Sequence, residues 1–139
     1  MRKKREIARF ARWCFEKCGV PPCKITYAPG ECLIRKGQYV FGCYIWDEGT
    51  TDPGEIFVAY RIPTFGVMSV LAHEIWHHRQ QMTVGIESMD NETCESDAEK
   101  GGAELLARWL IRGGKVKINL TGGDKNVGTQ EANTDTAGS

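Results

Sequence analysis

Apolar positions Ile7, Phe10, Ala11, Cys14, Phe15 and Cys18 recur at helical spacing with Arg and Lys between them, which predicts an amphipathic helix over residues 5–18. Gly19 and Pro21-Pro22 end it. The period then changes. Residues 23–28 and 31–36 are short strand-like runs punctuated by Pro29-Gly30 and Gly37. Residues 38–47, rich in Tyr, Val, Phe, Ile and Trp, predict a third strand. A turn over 48–54 leads to a fourth strand at 55–61. Such short connections predict a small antiparallel meander.

Helical spacing returns after Pro63, with Thr64 as the expected N-cap. Val67, Met68, Leu71, Ala72 and Ile75 form an apolar side, and Val70, His73, Glu74 and His77 fall on the adjoining face. Gly85 closes this segment or begins its loop. A last helix is predicted from near Asn91 to Arg112, carrying Cys94, Ala98, Leu105, Leu106, Trp109 and Leu110 and stopping at Gly113-Gly114. Gly101-Gly102 inside it cost about 1 kcal/mol each relative to alanine, so they either kink the helix or let it approach a neighbour closely. Beyond them, Val116, Ile118 and Leu120 alternate like a short strand, and residues 121–139 are polar and Gly-rich without an apolar period. The expected organisation is therefore one α+β domain over residues 1–114, followed over 115–139 by a strand-like segment and a disordered tail.

Composition changes this picture little. A chain of 139 residues with 41% hydrophobic and 26% charged residues suits one soluble globular domain. Formal charge sums to zero, which argues against a generally basic nucleic-acid binder. The charge is nevertheless uneven. Residues 1–18 hold seven Lys and Arg against Glu6 and Glu16, whereas residues 85–105 hold seven acids against Lys100. The basic face of the first helix is expected to be a solvated surface. No apolar stretch has the form of a signal peptide or the length of a membrane span, so a cytoplasmic location is expected. There the six cysteines would be reduced, and no Cys-x-x-Cys pair marks a second metal site.

Candidate chemistry lies in Leu71-Ala72-His73-Glu74-Ile75-Trp76-His77-His78, a His-Glu-x-x-His motif inside a predicted helix. One helical turn puts His73 and His77 on one face, where both imidazoles can reach a single metal ion with Glu74 beside them. Two neutral imidazoles suit Zn2+, and a carboxylate that is not a ligand can take a proton from a metal-activated water. A catalytic zinc site normally takes three protein ligands. The third histidine, His78, points away in register, so a carboxylate must serve: Glu92, Glu95, Asp97 or Glu99.

The motif, followed eighteen residues after His77 by Glu95-x-x-Ala98-Glu99 and then Glu104-Leu105-Leu106, resembles the ImmA/IrrE-like group of small gluzincin metallopeptidases. That resemblance implies a compact zincin-like core and zinc-dependent hydrolysis of peptide bonds in a protein substrate, such as a regulatory protein. It matches Glu95 to the third zinc ligand and Glu99 to a polar position that orients a ligand histidine. The chain departs from the family pattern at Trp76, Glu99, Gly101 and Ala107-Arg108.

Glu74 would then act as general base and general acid. Tyr60, with Tyr44 and Arg61, is a candidate oxyanion or substrate contact, against plain packing in the sheet. The 55–61 strand is the expected edge for a substrate peptide. Trp46 and Trp76 are candidate pocket walls, against ordinary core packing. The competing functions are a non-catalytic metal-binding interaction module and a nucleic-acid contact through the basic helix.

Overall fold

A computed structural model describes residues 2–112 of the chain. Contacts divide the chain into two units, Met1–Arg108 and Trp109–Ser139. Of the second, only the last residues of a helix are described, and the expected strand at 116–120 and the polar tail lie outside the described residues.

The elements of the first unit are mixed α and β. Helix α1 (Arg2–Cys18) is followed by β1 (Lys24–Ala28), β2 (Leu33–Arg35), β3 (Gln38–Val40), β4 (Gly42–Ile45) and β5 (Glu55–Ala59). Then come α2 (Thr64–Thr83), a single 3₁₀ turn at Ile86–Ser88 and α3 (Asn91–Arg112). Helix α1 begins three residues before the amphipathic pattern does. Its Lys3 Nζ donates to the carbonyls of Tyr60 and Ile62, tying the first turn to the chain between β5 and α2. The inward face follows the prediction at Ile7, Phe10, Ala11, Cys14 and Phe15, which are buried, but Cys18 is half-buried and Trp13, outside the predicted set, is buried too.

The sheet corrects the antiparallel expectation. Its order is β1-β5-β4, with β4 antiparallel to β5 but β1 parallel to it, in the register Lys24↔Glu55 to Ala28↔Ala59. Parallel neighbours need a long crossover, and residues 29–54 supply one that local turn signals do not reveal. Within that crossover, β2 and β3 form a separate hairpin, Leu33↔Val40 to Arg35↔Gln38. Its two-residue loop has Lys36 at φ 51° and Gly37 at φ 76°. Two successive left-handed residues match the natural twist of such hairpins. The run expected as one strand over 38–47 is broken at Phe41, which leaves the hairpin and offers its carbonyl to the Ala59 N–H.

Helix α2 is the centre of the fold, packed on one side against α1 and on another against β4 and β5. Val67, Met68, Leu71, Ala72 and Ile75 are buried there with Ile56, Val58 and Ala59 of the sheet, as the periodicity predicts. Burying each larger aliphatic side chain contributes about 1.5–3 kcal/mol. Thr64 is not the N-cap. Pro63 occupies that position, no side chain caps the helix, and the Pro63 carbonyl accepts from Val67 N–H. At the other end the N–H groups of Val84 and Gly85 both donate to the Gln80 carbonyl, and Gly85 turns the chain at φ 86°. The next helix starts with a side-chain cap: Asp90 accepts from Thr93 N–H at 2.9 Å and from its hydroxyl at 2.8 Å.

Gly101 and Gly102 explain how α3 reaches α2. A Cβ at Gly102 would lie 2.9 Å from both Cα and N of His73, and one at Gly101 would lie 2.2 Å from the Trp76 ring. Helix α3 is continuous through both residues. The glycines therefore serve close approach.

Buried polar groups of α2 fasten the loops around it. His78 Nε2 faces the Pro21 carbonyl at 2.8 Å and must donate to it, so Nδ1 accepts from the Tyr44 hydroxyl at 2.9 Å. That hydroxyl in turn accepts from Gly54 N–H at 2.8 Å. Gln81 Nε2 donates to the Thr50 and Asp52 carbonyls, and its Oε1 accepts from Ile86 N–H, each at 3.0 Å. All six cysteines are free thiols. Among the described residues, no helix is long and apolar enough to cross a membrane.

Candidate metal centre

One turn of α2 separates His73 from His77, and their rings meet edge to face with centroids 4.8 Å apart. Glu95, in the early turns of α3, comes up opposite. Its Oε1 lies 3.2 Å from His73 Nε2 and its Oε2 lies 3.3 Å from His77 Nε2. Ligand-capable atoms of all three side chains fall within 4.8 Å of one another, the one such group of His, Cys, Asp and Glu among the described residues. His77 is buried, His73 half-buried and Glu95 exposed. The cluster is thus closed on the α2 side and open toward solvent at the carboxylate.

Its chemistry fits a cation. A carboxylate cannot sit against two unprotonated ring nitrogens without positive charge between them, supplied by protons or by a metal. Burial and the neighbouring His77 hold His73 below the ordinary imidazole range, although Glu95 and Glu99 pull the other way. Protonating His73 is therefore disfavoured. Two nitrogens and an oxygen form a borderline donor set. The two carboxylate–imidazole separations, 3.2 and 3.3 Å, are close to the roughly 3.4 Å between two ligands of a tetrahedral ion with bonds of about 2.1 Å, and the three side chains together fall within 4.8 Å.

Glu74 lies beside the cluster. It is buried, and among the described residues no hydrogen bond engages its carboxyl. Burial first, and then the charge of Glu95, push it up to about 8, with Arg35 acting in the opposite direction. Strand β4 passes over this face of α2: a Cβ at Gly42 would fall 2.4 Å from Val70 Cγ1 and 3.4 Å from Glu74 Cγ. Gly42 therefore lets the outer strand lie against the catalytic candidate.

The remaining expected residues fall in different places. Of the four candidate acids, the fold brings Glu95 to the imidazoles; Glu92 is exposed and outside the group. Asp97 accepts from Trp76 Nε1 at 2.8 Å and from Gln80 Nε2 at 3.0 Å. Glu99 is exposed and acts on His73 through its charge, with no hydrogen bond to either imidazole. It is Gln80 instead that engages His77 Nδ1, its Oε1 accepting at 2.8 Å.

Tyr60 packs edge to face on Tyr27 and lies under Lys3 Nζ, contacts that belong to the β1 side of the sheet. Tyr44 is committed to His78 and Gly54. Trp46 stacks on Tyr44 and donates to Glu87, whereas Trp76, held against α3, does line a cavity with Arg79, Gly101 and Leu105, one whose walls do not include His73, His77 or Glu95. The expected edge strand, β5, is the central one, so it has no free side for a peptide. Three residues about the cluster have no role assigned from the sequence. Gln80, three positions after His77, had a helical neighbour relation as its signal, whereas Gly42 and Arg35 carry none.

Comparison with protein-family models, with curated proteins and with solved structures finds no match. What the chain can do has to be read from its own residues.

Proposed function

We propose that this protein is a zinc-dependent metallopeptidase with a zincin-like core, in which His73, His77 and Glu95 hold the metal and Glu74 moves the proton. The observation that carries this reading is Glu74, a largely buried side chain with no hydrogen bond to protein among the described residues, next to two imidazoles and a carboxylate that converge on one point. When bound, a zinc ion supplies positive charge that polarises a scissile carbonyl and acidifies a water.

Glu74 does the proton work. At about 8 its carboxyl keeps its proton at neutral pH, and positive charge next to it lowers that value, freeing a carboxylate oxygen as base. The same oxygen then returns the proton to the nitrogen of the departing amine. His77 lies on the buried side of the cluster, and Glu95, on the open side, leaves room for substrate. Strand β4 ends the sheet next to Glu74, so an extended peptide adding to its outer side would run past the proton carrier. A protein segment in extended form is therefore the substrate proposed. We place the activity in the cytoplasm, where the buried Cys94 thiol close to His77 stays reduced.

A non-catalytic metal-binding module is the alternative function, but such a site has no use for an uncommitted buried carboxyl. Metal analysis of the purified protein together with Glu74→Gln separates the two. Zinc retained with peptidase activity abolished supports catalysis, and a Glu74→Gln protein that still cleaves its substrate refutes it.

A further inference from the structure

The ring nitrogen of His77 that faces away from Glu95 belongs to a chain of hydrogen bonds with only one consistent proton assignment. Gln80 Nε2 lies 2.9 Å from the Cys94 carbonyl oxygen and 3.0 Å from Asp97 Oδ2. Both partners accept, so the amide atom facing them is the nitrogen and the other is the oxygen. The Cys94 thiol donates to that oxygen at 3.1 Å. His77 Nδ1, 2.8 Å from the same oxygen, must then donate as well. Turning the amide over would set its oxygen against two acceptors.

Asp97 is itself fixed from behind. Trp76 Nε1 donates to Oδ2 at 2.8 Å, and the indole cannot slide because Gly101 receives one side of it and the Arg79 guanidinium lies 4.6 Å above the ring centre. The whole relay is formed between α2 and α3, the two helices that carry the candidate ligands.

We infer that Gln80, held by Asp97 and Trp76, is a positioning residue that keeps the neutral His77 ring protonated on Nδ1 with its Nε2 lone pair aimed at the metal position. The inference rests on the zinc-site reading above. A ligating imidazole must present an unprotonated nitrogen, and a neutral ring in water exchanges between two tautomers, so holding one of them raises affinity before any metal arrives. Asp97 adds negative charge behind the amide, which strengthens the acceptor at Nδ1.

The test uses the full chain, first without metal. Long-range proton–nitrogen NMR of the imidazoles at about pH 9, well above the ordinary histidine range, reads the tautomer directly. His77 in the Nδ1–H form is expected, and the Nε2–H form in the unsubstituted protein overturns the proposal. Zinc affinity is then measured by chelator competition. Gln80→Leu is expected to bind about 10–100-fold more weakly, as is Asp97→Leu to a smaller degree. Asp97→Asn, whose oxygen still accepts from both partners though without the charge, is expected to recover most of the affinity lost in Asp97→Leu. Gln80→Leu binding as tightly as the unsubstituted protein overturns the proposal.

Should Gln80→Leu not fold, the tautomer of the unsubstituted protein and the Asp97 pair still decide. An Nδ1–H ring in a protein that binds no zinc upholds the relay and removes the metallopeptidase reading, so the two failures are distinguishable.

Discussion

Replacing Gly102 by alanine sets two effects of opposite sign against each other. Helix propensity alone predicts that Gly102→Ala stabilises α3 by about 1 kcal/mol. The added Cβ, however, would lie 2.9 Å from His73 N and Cα and 3.1 Å from Ala72 C. Ordinary carbon contacts sit at about 3.5–4.0 Å, so the shortfall is roughly 0.6–1 Å. The atoms met are backbone, so no rotamer change relieves the overlap and the two helices must separate. Overpacking of this kind costs about 1–3 kcal/mol, which leaves a net loss of about 0–2 kcal/mol after the propensity gain.

The larger consequence falls on the site. Glu95 lies seven residues before Gly102, two turns along the same face, and its carboxylate is 3.2 Å from His73. A separation approaching 1 Å exceeds the roughly 0.5 Å tolerance of such a constellation. Zinc affinity is therefore expected to fall by more than stability does. Denaturant unfolding of the metal-free protein and chelator competition measure the two quantities. Gly66→Ala serves as control, because its Cβ would meet only the flexible end of Ile62 at 3.3 Å and so should retain most of the propensity gain. A Gly102→Ala protein that gains about 1 kcal/mol with unaltered zinc affinity would refute the close-approach argument.

Further expectations follow from the same contacts. In the metal-free fold Glu74 holds its proton up to about 8 against an ordinary 4.5, so the native state binds a proton that the unfolded chain has lost between those values. Stability from this group is fully present below about pH 4.5 and declines as pH rises through 8, by up to about 5 kcal/mol. Glu74→Gln should flatten that slope in denaturant melts at low and high pH with chelator present, and an unchanged slope would count against the buried carboxyl as its source. Zinc at a hundred times its dissociation constant should add about 2.7 kcal/mol to unfolding stability; His73→Ala or Glu95→Ala should remove the gain, and gains that survive both would place the ion elsewhere. Tyr44→Phe should cost about 2–4 kcal/mol in thermal or chemical melts, because Gly54 N–H and His78 Nδ1 lose their shared partner. A cost near zero would show that the Tyr44 hydroxyl does not hold this corner together.

Much of the helical architecture was legible before any coordinates. The apolar stripes of α1 and α2 are local periodicities, and a 3.6-residue turn alone puts His73 and His77 on one face with Glu74 beside them. The inward residues Ile7, Phe10, Val67, Leu71 and Ile75 follow from the same arithmetic. So does the exclusion of His78 from the cluster, since the adjacent register turns it toward Tyr44 and Pro21.

Tertiary structure decided which distant segments meet. It selected Glu95 from an acid-rich stretch, made β1 a parallel neighbour of β5, put β4 rather than β5 at the outer side, and joined Gln80 to Asp97 and Cys94. It also gave Gly42, Gly101 and Gly102 their purpose, which is the space that a neighbouring side chain, ring or backbone takes up. The physical reason is the range of each constraint. A helix period is set by bonds within one segment and is written along it, whereas a strand partner, a carboxylate's direction or the need for a missing Cβ depends on what another part of the chain brings to the same place.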